Sequence, residues 1–201
     1  ILFFLVGSYL ELKEGKILKY NILDPSKSET LFDEAIHKTG TGGTIHVQQF
    51  SLSADEQTIL IGTSSEAIYR RSSKETNYIF SRANNSLRLL SQGGKQMHAT
   101  LSPDGKRVAF VRDNNLFWTD IVSGKETAIT TNGKFNNIIH GSCDWVYEEE
   151  FSFAKAFAWS PDSKKIAFYT FDESQVPEYN MQMWGDLYPK DYRYKYPKAG
   201  E

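Results

Sequence analysis

Three times along the chain a short apolar stretch enters a polar turn and leaves it as a continuous apolar run. The first copy is Phe50-Ser51-Leu52-Ser53-Ala54-Asp55, followed by Thr58-Ile59-Leu60-Ile61. The second is Ala99-Thr100-Leu101-Ser102-Pro103-Asp104-Gly105-Lys106, followed by Val108-Ala109-Phe110-Val111. The third is Phe157-Ala158-Trp159-Ser160-Pro161-Asp162-Ser163-Lys164, followed by Ile166-Ala167-Phe168-Tyr169. Proline presets φ for a turn, and Ser and Asp side chains bond the backbone two residues on, so each copy predicts a β-hairpin.

More strands follow each hairpin. After the second copy, Asp113-Asn114-Asn115 makes a turn, Leu116–Ile121 reads as a third strand, and Ser123-Gly124-Lys125 precedes a fourth at Glu126–Thr130. Asn77–Arg82 and Ser86–Leu90 supply the same outer pair for the first copy, and Lys16–Ile22 with Ser28–Phe32 read as the outer half of an earlier blade. Four short antiparallel strands per repeat make a propeller blade. The fold class expected is therefore all-β: an incomplete β-propeller of four-stranded blades, about three to four of them present. Blade repeats fall near 50–90, 99–131 and 156–201. Since a closed ring needs more blades, such a piece has open strand edges and is expected to be poorly stable alone.

The repeat aspartates, Asp55, Asp104 and Asp162, lie 49 and then 58 residues apart. The longer interval places an insertion of about nine residues within 132–155. It contains Asp144-Trp145-Val146-Tyr147-Glu148-Glu149-Glu150-Phe151. Asp144 is a good N-cap for a short helix, whose N-terminal partial charge tolerates acids, and Trp145, Tyr147 and Phe151 are placed to anchor it while the carboxylates project outward. Neighbouring fixed carboxylates repel one another, and a cation between them relieves that cost. As a bare pattern the acidic run also fits a solvated surface turn.

Composition narrows the partners. Among 201 residues, 40% are hydrophobic and 14% aromatic, which suits strands, and the net charge of −2 with no Lys/Arg block argues against nucleic acid. Cys143 is the only cysteine, so an internal disulfide and multi-thiolate metal sites are excluded. His37, His46, His98 and His140 are scattered without metal-ligand spacing, and each reads as a surface or structural histidine. No metal or cofactor is expected. The opening Ile1–Val6 run is far below the roughly 20 residues of a membrane span and reads as a buried strand. The Gly-x-Ser-x-Gly elbow of an α/β-hydrolase does not occur, so no catalytic residue is assigned.

The acidic segment resembles the Asp-Trp-x-Tyr-Glu-Glu-Glu signature of the dipeptidyl peptidase IV family. Phe171-Asp172-Glu173-Ser174-Gln175-Val176-Pro177 and Tyr196-Pro197-Lys198-Ala199-Gly200 resemble the stretches that follow it there. The resemblance implies that 1–201 is part of the N-terminal β-propeller domain of a serine exopeptidase releasing N-terminal dipeptides, Xaa-Pro or Xaa-Ala. It implies that Glu149 and Glu150 bind the substrate's α-ammonium, with Glu148 a helix or surface residue. Ile68-Tyr69-Arg70-Arg71-Ser72 looks like the family's arginine segment, which makes Arg70 the third substrate-binding residue and Arg71 its rival. The implied partners are a peptide with a free N-terminus, the remaining blades and a C-terminal α/β-hydrolase domain, with homodimerisation through parts largely outside this chain. Members are mostly exported, periplasmic or membrane-anchored. The other readings left open are a non-enzymatic interaction propeller and a sister peptidase releasing tripeptides.

Overall fold

Sequence-adjacent strands pair throughout the first two-thirds of the chain. The computed structural model describes residues 2–5, 7–40 and 42–200. The first sheet holds β1 (Leu2–Leu5), β2 (Ser8–Lys13), β3 (Lys16–Asn21) and β4 (Ser28–Asp33) in that order. The second holds β5 (Gln49–Leu52), β6 (Thr58–Ala67), β7 (Ser73–Ser81) and β8 (Ser86–Leu89). The third holds β9 (Met97–Leu101), β10 (Arg107–Arg112), β11 (Asn115–Asp120) and β12 (Glu126–Ala128). All are antiparallel meanders, the blades of an incomplete β-propeller.

The first blade is more complete than the sequence suggested. β1 and β2 supply its other two strands, and their hairpin is closed not by a Ser-Pro-Asp turn but by Gly7 at φ 74°, a conformation costly for any residue with a Cβ. Whether β1 is buried, as its composition suggests, lies outside the described residues.

The repeat turn has one chemistry in all three copies. Ser53, Ser102 and Ser160 donate through Oγ to Oδ1 of Asp55, Asp104 and Asp162 at 2.5, 2.6 and 2.7 Å. Each Asp Oδ1 accepts the backbone N–H two residues on, from Gln57, Lys106 and Lys164. Each Ser Oγ also accepts the N–H of the residue starting the return strand or its approach, at Thr58, Arg107 and Lys165. These bonds hold the three aspartate carboxyls below the usual carboxylate range, the serine hydroxyl being the largest cause each time.

The apolar runs of the first two copies bury both faces, whereas Phe168 and Tyr169 of the third are exposed. Ile59 and Ile61 pack with Leu10, Ile17 and Phe32 between the first two sheets, while Leu60 turns the other way to meet Val108 and Phe110. Ala109 and Val111 then face Phe157 beyond the third sheet. Alternation within a run thus glues a blade to both neighbours.

The last third departs from a plain blade. It contains β13 (Ile138–His140), α1 (Trp145–Phe151), β14 (Phe157–Trp159), β15 (Ile166–Phe168), β16 (Thr170–Asp172), β17 (Glu178–Met183) and β18 (Lys190–Lys195). β14 pairs with β15 and β17 with β18, whereas β13 reaches past the third hairpin to pair with β16. The apolar run expected over Ile166–Tyr169 therefore breaks at Tyr169, whose N–H donates to Ala156 and whose carbonyl accepts from Gly141. An antiparallel bridge between Ser142 and Lys155 closes the base of the excursion that carries α1.

Candidate functional site

Helix α1 starts as the sequence dictates. Asp144 is extended at φ −73°, ψ 173°, and its Oδ1 accepts the Tyr147 N–H at 2.8 Å. Burial raises the Asp144 carboxyl above its usual range, and the amides of Tyr147 and Val146 pull it back. The helix ends at Ser152, left-handed at φ 56°. Two of the three expected aromatic anchors hold it. Trp145 lies 5.2 and 5.3 Å from the rings of Tyr194 and Tyr196, and Tyr147 lies 4.9 Å from Phe171. Phe151 is 65% exposed and its ring lies tilted against Tyr147 of its own helix, so it does not anchor α1 to the blades.

Consecutive helical residues turn by about 100°, so three adjacent glutamates cannot share a direction. Glu148 points inward and is 2% exposed, so it is a helix residue but neither a surface one nor one that projects outward. Its Oε1 accepts the N–H of Arg71 at 2.6 Å and of Ser72 at 2.9 Å. Glu149 is half-buried, its side chain 16% exposed, and its Oε2 lies 3.1 Å from Arg70 Nε. Glu150 is exposed.

Arg70 and Arg71 sit at the tip joining the two longest strands, β6 and β7, where the Ile68 N–H donates to the Ser72 carbonyl at 2.9 Å. The two arginines diverge. Arg70 reaches Glu149, whereas Arg71 lines a separate cavity of about 260 Å³ with Gln49, Glu75 and His98. The Tyr69 hydroxyl accepts from Tyr192 of β18 at 3.0 Å, so the tip is tied on a second side. Three distant stretches of chain thus bring Arg70 and Glu149 together beside Glu150.

Below this surface lies a cavity of about 430 Å³, lined by Tyr69, Ser72, Trp145, Tyr192 and Glu173 among others. Glu173 is 7% exposed; burial, then the neighbouring Asp144, pushes its carboxyl up to about 7, while Lys195 pulls the other way. Burial likewise pushes the Cys143 thiol up to about 12. Near the base of the excursion, His98 Nε2 lies 3.1 Å from Ser142 Oγ, and burial, with Lys155 nearby, lowers its imidazole to about 4.

The other histidines also have structural partners. His140 meets Thr170 and Asn132, His37 meets Asp33 and Asn85, and His46 meets Glu34. Among the described residues no group of three or more His, Cys, Asp or Glu side chains is placed to hold a metal ion. Sequence reasoning missed Tyr192, Glu173 and the inward turn of Glu148. Only the last left a readable signal, the 100° step between adjacent helical positions.

Comparison with known proteins places the chain in a family. The family model for the dipeptidyl peptidase IV N-terminal region matches residues 53–201. Dipeptidyl aminopeptidase B of Saccharomyces cerevisiae is 31% identical over 97% of the chain, and mouse (Mus musculus) prolyl endopeptidase FAP is 31% identical over 94%. The crystal structure of Porphyromonas gingivalis dipeptidyl peptidase 4 superposes with a TM-score of 0.88 at 40% identity, over 96% of this chain and 28% of that one. The chain spans 24% of the length of each of the two curated relatives. This chain belongs to the dipeptidyl peptidase IV family, within its N-terminal region.

Proposed function

We propose that this region is the amino-terminus receptor of a serine exopeptidase that releases Xaa-Pro or Xaa-Ala dipeptides. The observation that carries the reading is the convergence of Arg70 and Glu149 at 3.1 Å beside the exposed Glu150. A peptide's α-ammonium offers three donors and a full charge, and Glu149 and Glu150 are its acceptors. Arg70 keeps guanidinium donors beyond Nε for a substrate carbonyl.

A receptor fixed at a set distance from a nucleophile measures length, so cleavage falls after the second residue. The remaining blades and a C-terminal α/β-hydrolase domain supply the enclosed channel and the serine that attacks the carbonyl. In this reading the propeller contributes specificity and the partner domain contributes bond cleavage. The name of the yeast relative, a dipeptidyl aminopeptidase, supports the reading.

The test is made in the full-length protein. Glu149→Gln combined with Glu150→Gln abolishes hydrolysis of an Xaa-Pro chromogenic substrate; undiminished turnover sinks the assignment.

A further inference from the structure

We infer that Glu148 is a positioning residue, which sets the backbone of the 68–72 tip so that Arg70 meets Glu149. The inference rests on the reading of Arg70, Glu149 and Glu150 as the ammonium receptor, and concerns a residue that reading leaves without a role.

A carboxyl group 2% exposed is costly unless its oxygens find donors. Glu148 finds two, both main-chain N–H groups of the opposite segment, at Arg71 and Ser72. Bonds from N–H groups to a carboxylate are among the stronger hydrogen bonds in proteins. Within the tip itself, Ile68 N–H and Tyr69 N–H both converge on the Ser72 carbonyl, and Arg71 N–H and Ser72 N–H are left to Glu148. Ser72 is buried, so its N–H has no ready substitute in water.

The need for such a latch follows from exposure. Arg70's side chain is 73% exposed, and an ion pair made so near water does little to hold a long side chain in one place. Its backbone must be placed first. Glu148 is adjacent in sequence to Glu149, so one helix fixes both the carboxylate that receives Arg70 and the backbone that delivers it. A shift of α1 moves both together. The three glutamates then divide the work by helical direction: one inward to the tip, one to the arginine, one to solvent.

The residue type matters. Glutamine keeps an oxygen that accepts both N–H groups but loses the charge, whereas alanine leaves both donors unpaired. In the full-length protein, kcat/KM is measured on an Xaa-Pro chromogenic substrate and on its des-amino analogue, which has no ammonium to grip. Glu148→Ala is expected to lower the value for the free-amine substrate by about 10- to 100-fold, mainly through KM, and to leave the analogue unchanged. Glu148→Gln recovers most of the loss. In an Arg70→Ala background, Glu148→Ala adds little further.

Equal losses on both substrates, no loss on either, or full additivity with Arg70→Ala overturns the inference. Where Glu148→Ala does not fold, the shorter Glu148→Asp, whose carboxylate falls short of both N–H groups, decides: faster amide exchange across 68–72 or a turnover loss confined to the free-amine substrate supports the latch, and no change in either rejects it. If Glu149→Gln with Glu150→Gln is itself harmless, the receptor reading fails. If that pair is inactivating and Glu148→Ala is neutral, only the positioning role fails.

Discussion

The Tyr192 hydroxyl donates to the Tyr69 hydroxyl at 3.0 Å, joining residues 123 apart in sequence and tying β18 to the residue before Arg70. Burial, with the Tyr192 bond next, raises the Tyr69 phenol, so it stays a neutral hydroxyl that can take part in this bond at any working pH. Tyr192→Phe removes one hydrogen bond worth about 1 kcal/mol and leaves the ring contact. KM for a free-amine dipeptidyl substrate is expected to rise about two- to fivefold, with kcat held. Steady-state kinetics of the full-length variant checks it, and a fall in kcat alone contradicts the positioning of the tip by β18.

Glu173 makes stability depend on pH in an unusual direction. Its folded-state pKa of about 7 lies above the ordinary 4.5, so the folded protein holds this proton more tightly than the unfolded chain. Stability is therefore lost as pH rises from 4.5 through 7. Glu173→Gln removes the titration. The variant is expected to gain about 1–2 kcal/mol over the parent at pH 8, allowing for solvent reaching the cavity, and little at pH 4.5. Urea unfolding at the two pH values measures it; an equal difference at both contradicts the raised carboxyl.

His98 acts with the opposite sign. Its imidazole is lowered to about 4 in the fold from an ordinary 6.5, so the unfolded chain takes up the proton first and stability falls as pH drops from 6.5 to 4. The residue also sits left-handed at φ 58°, beside an irregularity in the β9–β10 register. Asparagine tolerates that conformation and does not titrate. His98→Asn is expected to flatten the acid side of the stability profile between pH 6.5 and 4, read from unfolding midpoints. A profile parallel to the parent's rejects the assignment.

The Asp144 cap is separable from its charge. Asp144→Asn keeps an acceptor for the Tyr147 N–H and is expected to cost a few tenths of a kcal/mol, whereas Asp144→Ala costs about 1 kcal/mol. Amide exchange at Tyr147 distinguishes them. Equal protection in both variants shows that the cap does not hold α1.

The blades were legible because each is announced by a local device. A Ser and an Asp two residues apart form the same three bonds in every copy, and the apolar runs behind the first two bury both faces. The start of α1 was legible for the same reason, since Asp144 needs only its own neighbours. What the sequence hid is non-local. Ile138–His140 pairs with Thr170–Asp172 across thirty residues, and neither run carries a pattern that names its partner. The role of Glu148 depends on two backbone amides 76 and 77 positions away. Tyr192 looked like one aromatic among many in Lys190–Lys195 until the fold set it against Tyr69. The choice of Arg70 over Arg71 rested on resemblance alone; only the fold shows that Arg70 reaches Glu149 while Arg71 lines a separate cavity.

The central claim is that Glu149 and Glu150 read a charged amino terminus. The most direct measurement is the ratio of kcat/KM for an Xaa-Pro chromogenic substrate to that for its des-amino analogue, in the full-length protein and in its Glu149→Gln, Glu150→Gln variant. The account predicts a large ratio in the parent, on the order of a hundredfold or more for charge-assisted bonds to an ammonium, and a ratio near one in the variant. A variant that still prefers the free amine as strongly as the parent would contradict it.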